Sequence, residues 1–362
     1  KNITVLILNK NEDLYARQLK DKEDLFFSFF SKLTKNLNNF PSPPSHFRTR
    51  AELGVRVNNN IQFTMVENNN KINVDELTIC DAQINQLISK LKVKLLGSNE
   101  IKEKLFQTEI QVSRSGEGIV TLIYHKPLDA NWIKKAKKLS SEIDASIVGR
   151  SRKQKLVVGK DFVNETYNAQ IKKIKVNLYE QCFSQPNPYI CDKMLAWVSE
   201  SKKLQHHVTE LHCGVGTFTI LLGNLYSRVL ATENSRPSIR ALEKNIQINS
   251  LKNIEIARMS GLETLEALIK KREFNRMKHI NLIDFKKDVL FLDPPRSGLD
   301  VESINLIKRL KYKEIIYLSC GFESLKSNLK ELLTSYKVKK AALFDQFPYT
   351  DHIETGVILR KL

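Results

Sequence analysis

Past residue 180 the chain alternates short apolar runs with helical stretches. The runs are VTELHC, RVLATE, IEIARM, DVLFLDPP and EIIYLSC. Strand–helix alternation at this spacing predicts an α/β fold with a parallel, doubly wound sheet. KKAALFDQFPY and ETGVILRKL then follow each other with no helix between, which predicts an antiparallel pair at the sheet edge. In such a sheet, ligands bind beyond the carboxyl ends of the strands.

The first half reads differently. Leu14, Leu19, Phe26, Phe30, Leu33 and Leu37 recur at helical spacing and predict one long helix over 12–38, ended by Pro41, Pro43 and Pro44. AELGVRV and IQFTMVE alternate around NNN as a hairpin, and QTEIQVS and IVTLIYH form a second one across SGEG. Helices are expected at 82–96 and 129–143, and strands at IVGR and KLVV. The expected division is therefore an α+β domain over 1–165 and a doubly wound domain over 166–362.

Hydrophobic residues make up 41% of the 362, which excludes a disordered chain. The formal net charge of +18 is shared as +10 in residues 1–180 and +8 in 181–362. Both folded halves are thus positive, which suits a polyanion held across them. No run approaches the ~18 apolar residues of a membrane helix, and the patch opening the chain is too short for a signal peptide. A cytoplasmic protein with no membrane contact is expected. The five cysteines form no C-x-x-C pair, so neither a disulfide framework, a metal site nor an iron–sulfur cluster is expected.

Four places carry chemistry. Glu210–Gly216 (ELHCGVG) sets two of only 13 glycines at a strand-to-helix turn, and Glu233 ends the next strand. A carboxylate there can accept both hydroxyls of a ribose, in either a dinucleotide or an S-adenosylmethionine site. Thr219 stands where a dinucleotide fingerprint needs its third glycine, which disfavours a nicotinamide enzyme. Asp293-Pro294-Pro295 follows an apolar strand, and its prolines give a rigid backbone that can lie beneath a planar ring. Ser319-Cys320 ends another strand before a helix, whose dipole would favour the thiolate. Glu354 lies in FDQFPYTDHIETGV, one carboxylate among 40 acidic residues.

Taken together, SHFRTRAE, KLFQ, YHKPLD, FSQPN, LATEN, FLDPPRSGLD, YLSC and LFDQFPYTDHIETGV resemble the tRNA (uracil-5-)-methyltransferases, the TrmA family, over nearly the whole chain. The resemblance implies a Rossmann-like class I methyltransferase domain behind an N-terminal α+β RNA-binding domain. It implies S-adenosyl-L-methionine as cofactor, Cys320 as nucleophile and Glu354 as proton acceptor. Gln185, His212, Thr217, Glu233 and Asp293 match the family's cofactor positions, and Phe106 in KLFQ is the candidate for stacking on RNA. The expected substrate is the T-loop uridine of tRNA, with the T-arm mimic of tmRNA as a second, and the expected form is a monomer.

The chain departs from the family's pattern at His212 (usually Tyr), at Val215-Gly216-Thr217 (usually Asn-Gly-Asn) and at Gly321-Phe322 (usually Asn-Pro). These changes keep open a tRNA-binding or folding factor with weakened catalysis. An rRNA uracil-5 methyltransferase is the other alternative, although rRNA branches commonly carry an iron–sulfur cysteine cluster.

Overall fold

The computed structural model describes residues 12–67, 70–201 and 203–362, so the apolar patch at 1–11 falls outside it. Helix α1 (Glu12–Phe30) ends earlier than its Leu33 and Leu37 periodicity predicts. The Asn36 amide donates to the Thr34 hydroxyl at 3.1 Å, and the chain then enters strand β1 (Leu37–Phe40). β1 runs parallel to residues 336–344 of the far end of the chain. An open sheet edge offers these residues backbone partners that a fraying helix end lacks, and Pro41 then stops the pairing. Phe26 and Phe30 of α1 are fully buried in the same core as Tyr336 and Leu343, a contribution of about 1.5–3 kcal/mol each. Residues 12–40, expected in the first domain, thus pack on the sheet of the second.

A seven-stranded sheet follows. It contains β2 (Arg50–Val57), β3 (Ile61–Glu67), β4 (Asn70–Val74), β5 (Leu105–Val112), β6 (Gly118–Tyr124), β7 (Ser146–Ser151) and β8 (Gln154–Val158). The order is β4-β3-β2-β5-β6-β7-β8, antiparallel except for β6–β7. Both expected hairpins are present, and so are the two long helices, α2 (Ala82–Leu96) and, beyond the short α3 (Asn99–Lys102), α4 (Ala130–Ile143). Asp81 and Asp129 cap α2 and α4 by accepting from the amides of Gln83 and Trp132. The apolar stripes of both helices (Leu87 and Leu91, Trp132 and Leu139) close the core beneath this sheet.

A hairpin absent from the sequence reading, β9 (Phe162–Asn168) and β10 (Lys173–Tyr179), comes next. The division expected between 165 and 166 therefore falls inside a strand. Val163, Tyr167, Val176 and Leu178 of the hairpin share a core with Met194 and Trp197 of α5 (Pro188–Ser199).

The remaining elements alternate: β11 (Lys203–Leu211), α6 (Thr217–Leu225), β12 (Tyr226–Thr232), α7 (Arg236–Ile248), β13 (Ile254–Ala257), α8 (Gly261–Leu268), β14 (Val289–Leu292), α9 (Val301–Leu310), β15 (Glu314–Ser319), α10 (Phe322–Leu332), β16 (Tyr336–Phe344) and β17 (Glu354–Lys361). They form an eight-stranded sheet in the order β1-β16-β17-β15-β14-β11-β12-β13. β16 and β17 pair antiparallel as expected, but β17 lies inside the sheet and β1 is its edge. Because β17 runs against its neighbours, its first residue lies level with the carboxyl ends of β11, β12, β14 and β15. Among the described residues no helix is long and apolar enough to cross a membrane, and no group of three His, Cys, Asp or Glu could hold a metal ion.

Candidate active site

A cavity of about 630 Å³ opens at this carboxyl edge. The turn between β11 and α6 supplies His212, Gly214 and Thr217, and the end of β12 supplies Glu233. Asp293 to Arg296 come from the loop after β14, Cys320 from the end of β15, Glu354 from the start of β17, and Phe183 and Gln185 from the segment before α5. All the residues expected as catalytic or cofactor-binding meet here. A second cleft of about 560 Å³, between the Phe40–Pro43 segment and α5, carries neither a thiol nor an imidazole.

Gly214 (φ 54°) and Gly216 (φ 91°) take left-handed backbone that other residues adopt at a cost. Beyond its own chain neighbours, no heavy atom lies within 4 Å of where a Gly214 Cβ would stand, so the backbone is open to a ligand there. The Gly214 amide donates to Glu233 Oε2 at 3.2 Å and the Ser235 amide to Oε1 at 2.7 Å. Fully buried Asn245 of α7 fixes the turn by donating to the Val215 carbonyl at 2.9 Å, and its Oδ1 accepts from the Asn177 amide at 2.8 Å. A carboxylate aimed by two amides beside an open glycine turn fits the ribose of S-adenosylmethionine, and Thr217 adds a hydroxyl at the start of α6. The His212 ring lies against Gly261 so closely that a Cβ there would be 2.8 Å from Nε2. Burial holds this imidazole below its ordinary pKa, leaving a neutral face for stacking.

Ser319 pairs with Thr355 across β15 and β17, which brings Glu354 beside Cys320. Cys320 is half-buried. Burial, reinforced by the carboxyls of Glu354 and Asp293, pushes its thiol up to about 11 against a weaker opposing pull from Arg296. Desolvation and the two carboxyls thus oppose the thiolate that the start of α10 was expected to favour. Burial likewise pushes Asp293 up to about 7. It raises Glu354 well above the usual carboxylate range, with Asp293 adding to the rise, and Glu354 Oε1 has no hydrogen-bond partner. Three acids crowded with too little positive charge form a site that a sulfonium cation would relieve.

Beneath the glycine turn, burial pushes Glu210 up to about 8. A folded-state pKa above the unfolded value means stability that is whole below about 4 and lost as pH rises through the folded value. Thermal denaturation of the free protein should show this loss between about pH 4 and pH 8. Glu210→Gln should reduce it, leaving the share from Asp293 and Glu354, and overlapping wild-type and variant profiles would refute the assignment.

Gly321 has a steric reason that its family pattern does not share. A Cβ there would overlap the Arg296 carbonyl oxygen. The Ser324 hydroxyl donates to that carbonyl at 2.8 Å and lies 2.9 Å from the Gly321 carbonyl, tying the Asp293–Arg296 loop to the Cys320 turn. Gly321→Ala should cost about 1–3 kcal/mol by overpacking and lower turnover about tenfold by displacing the thiol. Chemical denaturation and steady-state kinetics check the two effects.

Several cavity residues went unremarked although they sit in the quoted motifs. Phe183 is 69% exposed at the rim, and Phe347 lines the wall. Gln346 Nε2 donates to Gln185 Oε1 at 2.9 Å, and the Arg296 guanidinium lies 2.8 and 3.1 Å from the two ring nitrogens of His352. Phe106 does not line the cavity. It lies on β5, half-buried and stacked on His125 with ring centroids 3.8 Å apart.

Comparison with known proteins agrees with this geometry. The family model for tRNA (Uracil-5-)-methyltransferase matches residues 14–362. A tRNA/tmRNA (uracil-C(5))-methyltransferase of Acinetobacter baumannii (strain ACICU) is 39% identical, covering 96% of this chain and 99% of its own. Its counterpart in Saccharophagus degradans is 40% identical, covering 99% and 100%. The crystal structure of Pyrococcus abyssi tRNA (uracil-54, C5)-methyltransferase in complex with S-adenosyl-L-homocysteine shares the fold, with a TM-score of 0.72 at 21% identity over 95% of this chain and 83% of that one. With its family match running from the first helix to the last strand, and with such relatives along its length, the chain belongs to the tRNA (uracil-5-)-methyltransferase family.

Proposed function

We propose that this chain methylates carbon-5 of the T-loop uridine of tRNA, with S-adenosylmethionine as donor. One observation carries the reading: Cys320 and Glu354 come together across β15–β17 at a cavity that Glu233 also lines. Carbon-5 of uracil is too weak a nucleophile to take a methyl group unaided. Cys320 releases its thiol proton to solvent and adds the resulting thiolate to carbon-6, which turns the ring into an enolate nucleophilic at carbon-5. Bound in the cavity, the donor supplies an electrophilic methyl group on a sulfonium centre. Glu354, in its ionised form, then removes the carbon-5 proton, and elimination breaks the sulfur–carbon-6 bond and returns the Cys320 thiolate.

Glu233 is assigned to the ribose hydroxyls, His212 to stacking on the donor and Thr217 to a hydroxyl contact. Gln185 and Asp293, which also line the cavity, are assigned to donor binding. A uridine inside RNA structure must leave its stack to reach Cys320. The exposed part of the Phe106–His125 stack offers an aromatic surface for the rest of the loop. The positive charge of both halves supports tRNA as the polyanion. The names of the relatives support tmRNA as a second substrate.

Labelled donor and unmodified tRNA test the proposal. Label should enter tRNA and be lost when the T-loop uridine is replaced by cytidine. Equal incorporation into both RNAs, or none into either, overturns it.

A further inference from the structure

A buried charge outside the cavity lining has no part in the chemistry above. Lys22 Nζ lies 2.7 Å from Asp345 Oδ1, with side chains 3% and 0% exposed. The same ammonium donates to the Phe347 carbonyl at 2.8 Å. Burial draws Lys22 below its ordinary pKa in spite of Asp345. Lys22 belongs to a stripe on α1, one to two turns apart, that grips a single loop. Gln18 Oε1 accepts from the Tyr349 amide at 2.9 Å, and the Tyr15 ring packs against Tyr349 with centroids 5.7 Å apart.

The gripped loop joins β16 to β17 and forms part of the cavity. Phe347 lines the wall, and Gln346 commits the Gln185 oxygen by donating to it, leaving the Gln185 amide group to donate to a ligand. The loop then delivers Glu354 at the start of β17. Replacing a buried ion pair by apolar groups of similar size is often neutral or stabilising, so stability alone does not account for this one. Its distinctive product is direction: an ammonium with several donors reaches both a carboxylate and a carbonyl of the loop, and so fixes its path.

We propose that Lys22 is a positioning residue for methyl transfer, holding the 345–349 segment through Asp345 and the Phe347 carbonyl so that Gln185 and the cavity wall are set for catalysis. The proposal rests on the methyl-transfer reading.

The test compares wild type, Lys22→Met and the charge-free pair Lys22→Met/Asp345→Leu in the full chain. The readouts are thermal midpoint, kcat and KM for donor and tRNA, and amide hydrogen exchange over 345–349. The double variant should keep a midpoint near that of wild type and lose kcat about tenfold or more. Exchange at 345–349 should quicken while α1 stays protected. If one variant does not fold, the other decides by the same criteria. A folded variant with kcat within about twofold of wild type and unchanged exchange overturns the proposal. Should wild type transfer no methyl group, the activity reading fails, while the exchange comparison still decides whether Lys22 fixes the loop.

Discussion

Cys320→Ala is expected to lower methyl transfer to tRNA by about 10⁴-fold or more, with little effect on folding or on donor binding. The thiol is half-buried at the end of β15, so its removal opens no large void in the core. The other four cysteines are buried, and two of them, Cys182 and Cys213, line the same cavity with their thiols pushed up by burial. No second accessible thiol is therefore placed to substitute. Burial and the neighbouring carboxyls, which push its pKa up to about 11, favour the thiol form of Cys320. Single-turnover transfer measures the loss, and calorimetry with S-adenosylhomocysteine checks the intact cavity. A variant within about tenfold of wild type would remove Cys320 from the reaction.

Glu354→Gln is expected to do something different: trap the protein on its RNA. Addition of Cys320 and methylation of carbon-5 precede the step assigned to Glu354. A neutral amide cannot remove the carbon-5 proton, so the methylated adduct should accumulate while turnover falls about 10²- to 10⁴-fold. The side chain is 2% exposed and its Oε1 has no partner, so the amide should fit with little disturbance. A band carrying both protein and tRNA should survive denaturing electrophoresis for the Gln variant. It should vanish when Cys320→Ala is added. Fast turnover without that band would take proton removal away from Glu354.

Glu233, Asp293 and Cys320 were legible because apolar runs in this fold end at the residues that face the ligand. Gln185 and Glu354 were legible only through motif resemblance, since a lone glutamine or carboxylate has no periodic signature. What could not be read was whatever depends on pairing across the sheet. Leu37 continues the helical spacing, yet the open edge of β16 draws residues 37–40 into a strand. The position of Glu354 beside Cys320 follows from β17 running antiparallel inside the sheet, a register set by Ser319 and Thr355. The state of the thiol was misjudged for a related reason. A helix start is visible in sequence, whereas the burial of the thiol and two carboxyls brought near it from separate strands are not. Lys22 and Asp345 lie 323 positions apart and meet only because α1 crosses the far end of the chain. Phe106 shows the converse, a residue singled out by motif whose stacking partner His125 comes from just beyond β6.

The most direct test of the central claim is peptide mapping of the covalent complex formed with donor and 5-fluorouracil-substituted tRNA. Fluorine in place of the carbon-5 hydrogen leaves Glu354 no proton to remove, so the intermediate cannot resolve. The account predicts one cross-linked peptide containing Cys320, joined to the T-loop base with its methyl group already transferred. A complex mapped to another residue, or methylated RNA released with no complex formed, would contradict it.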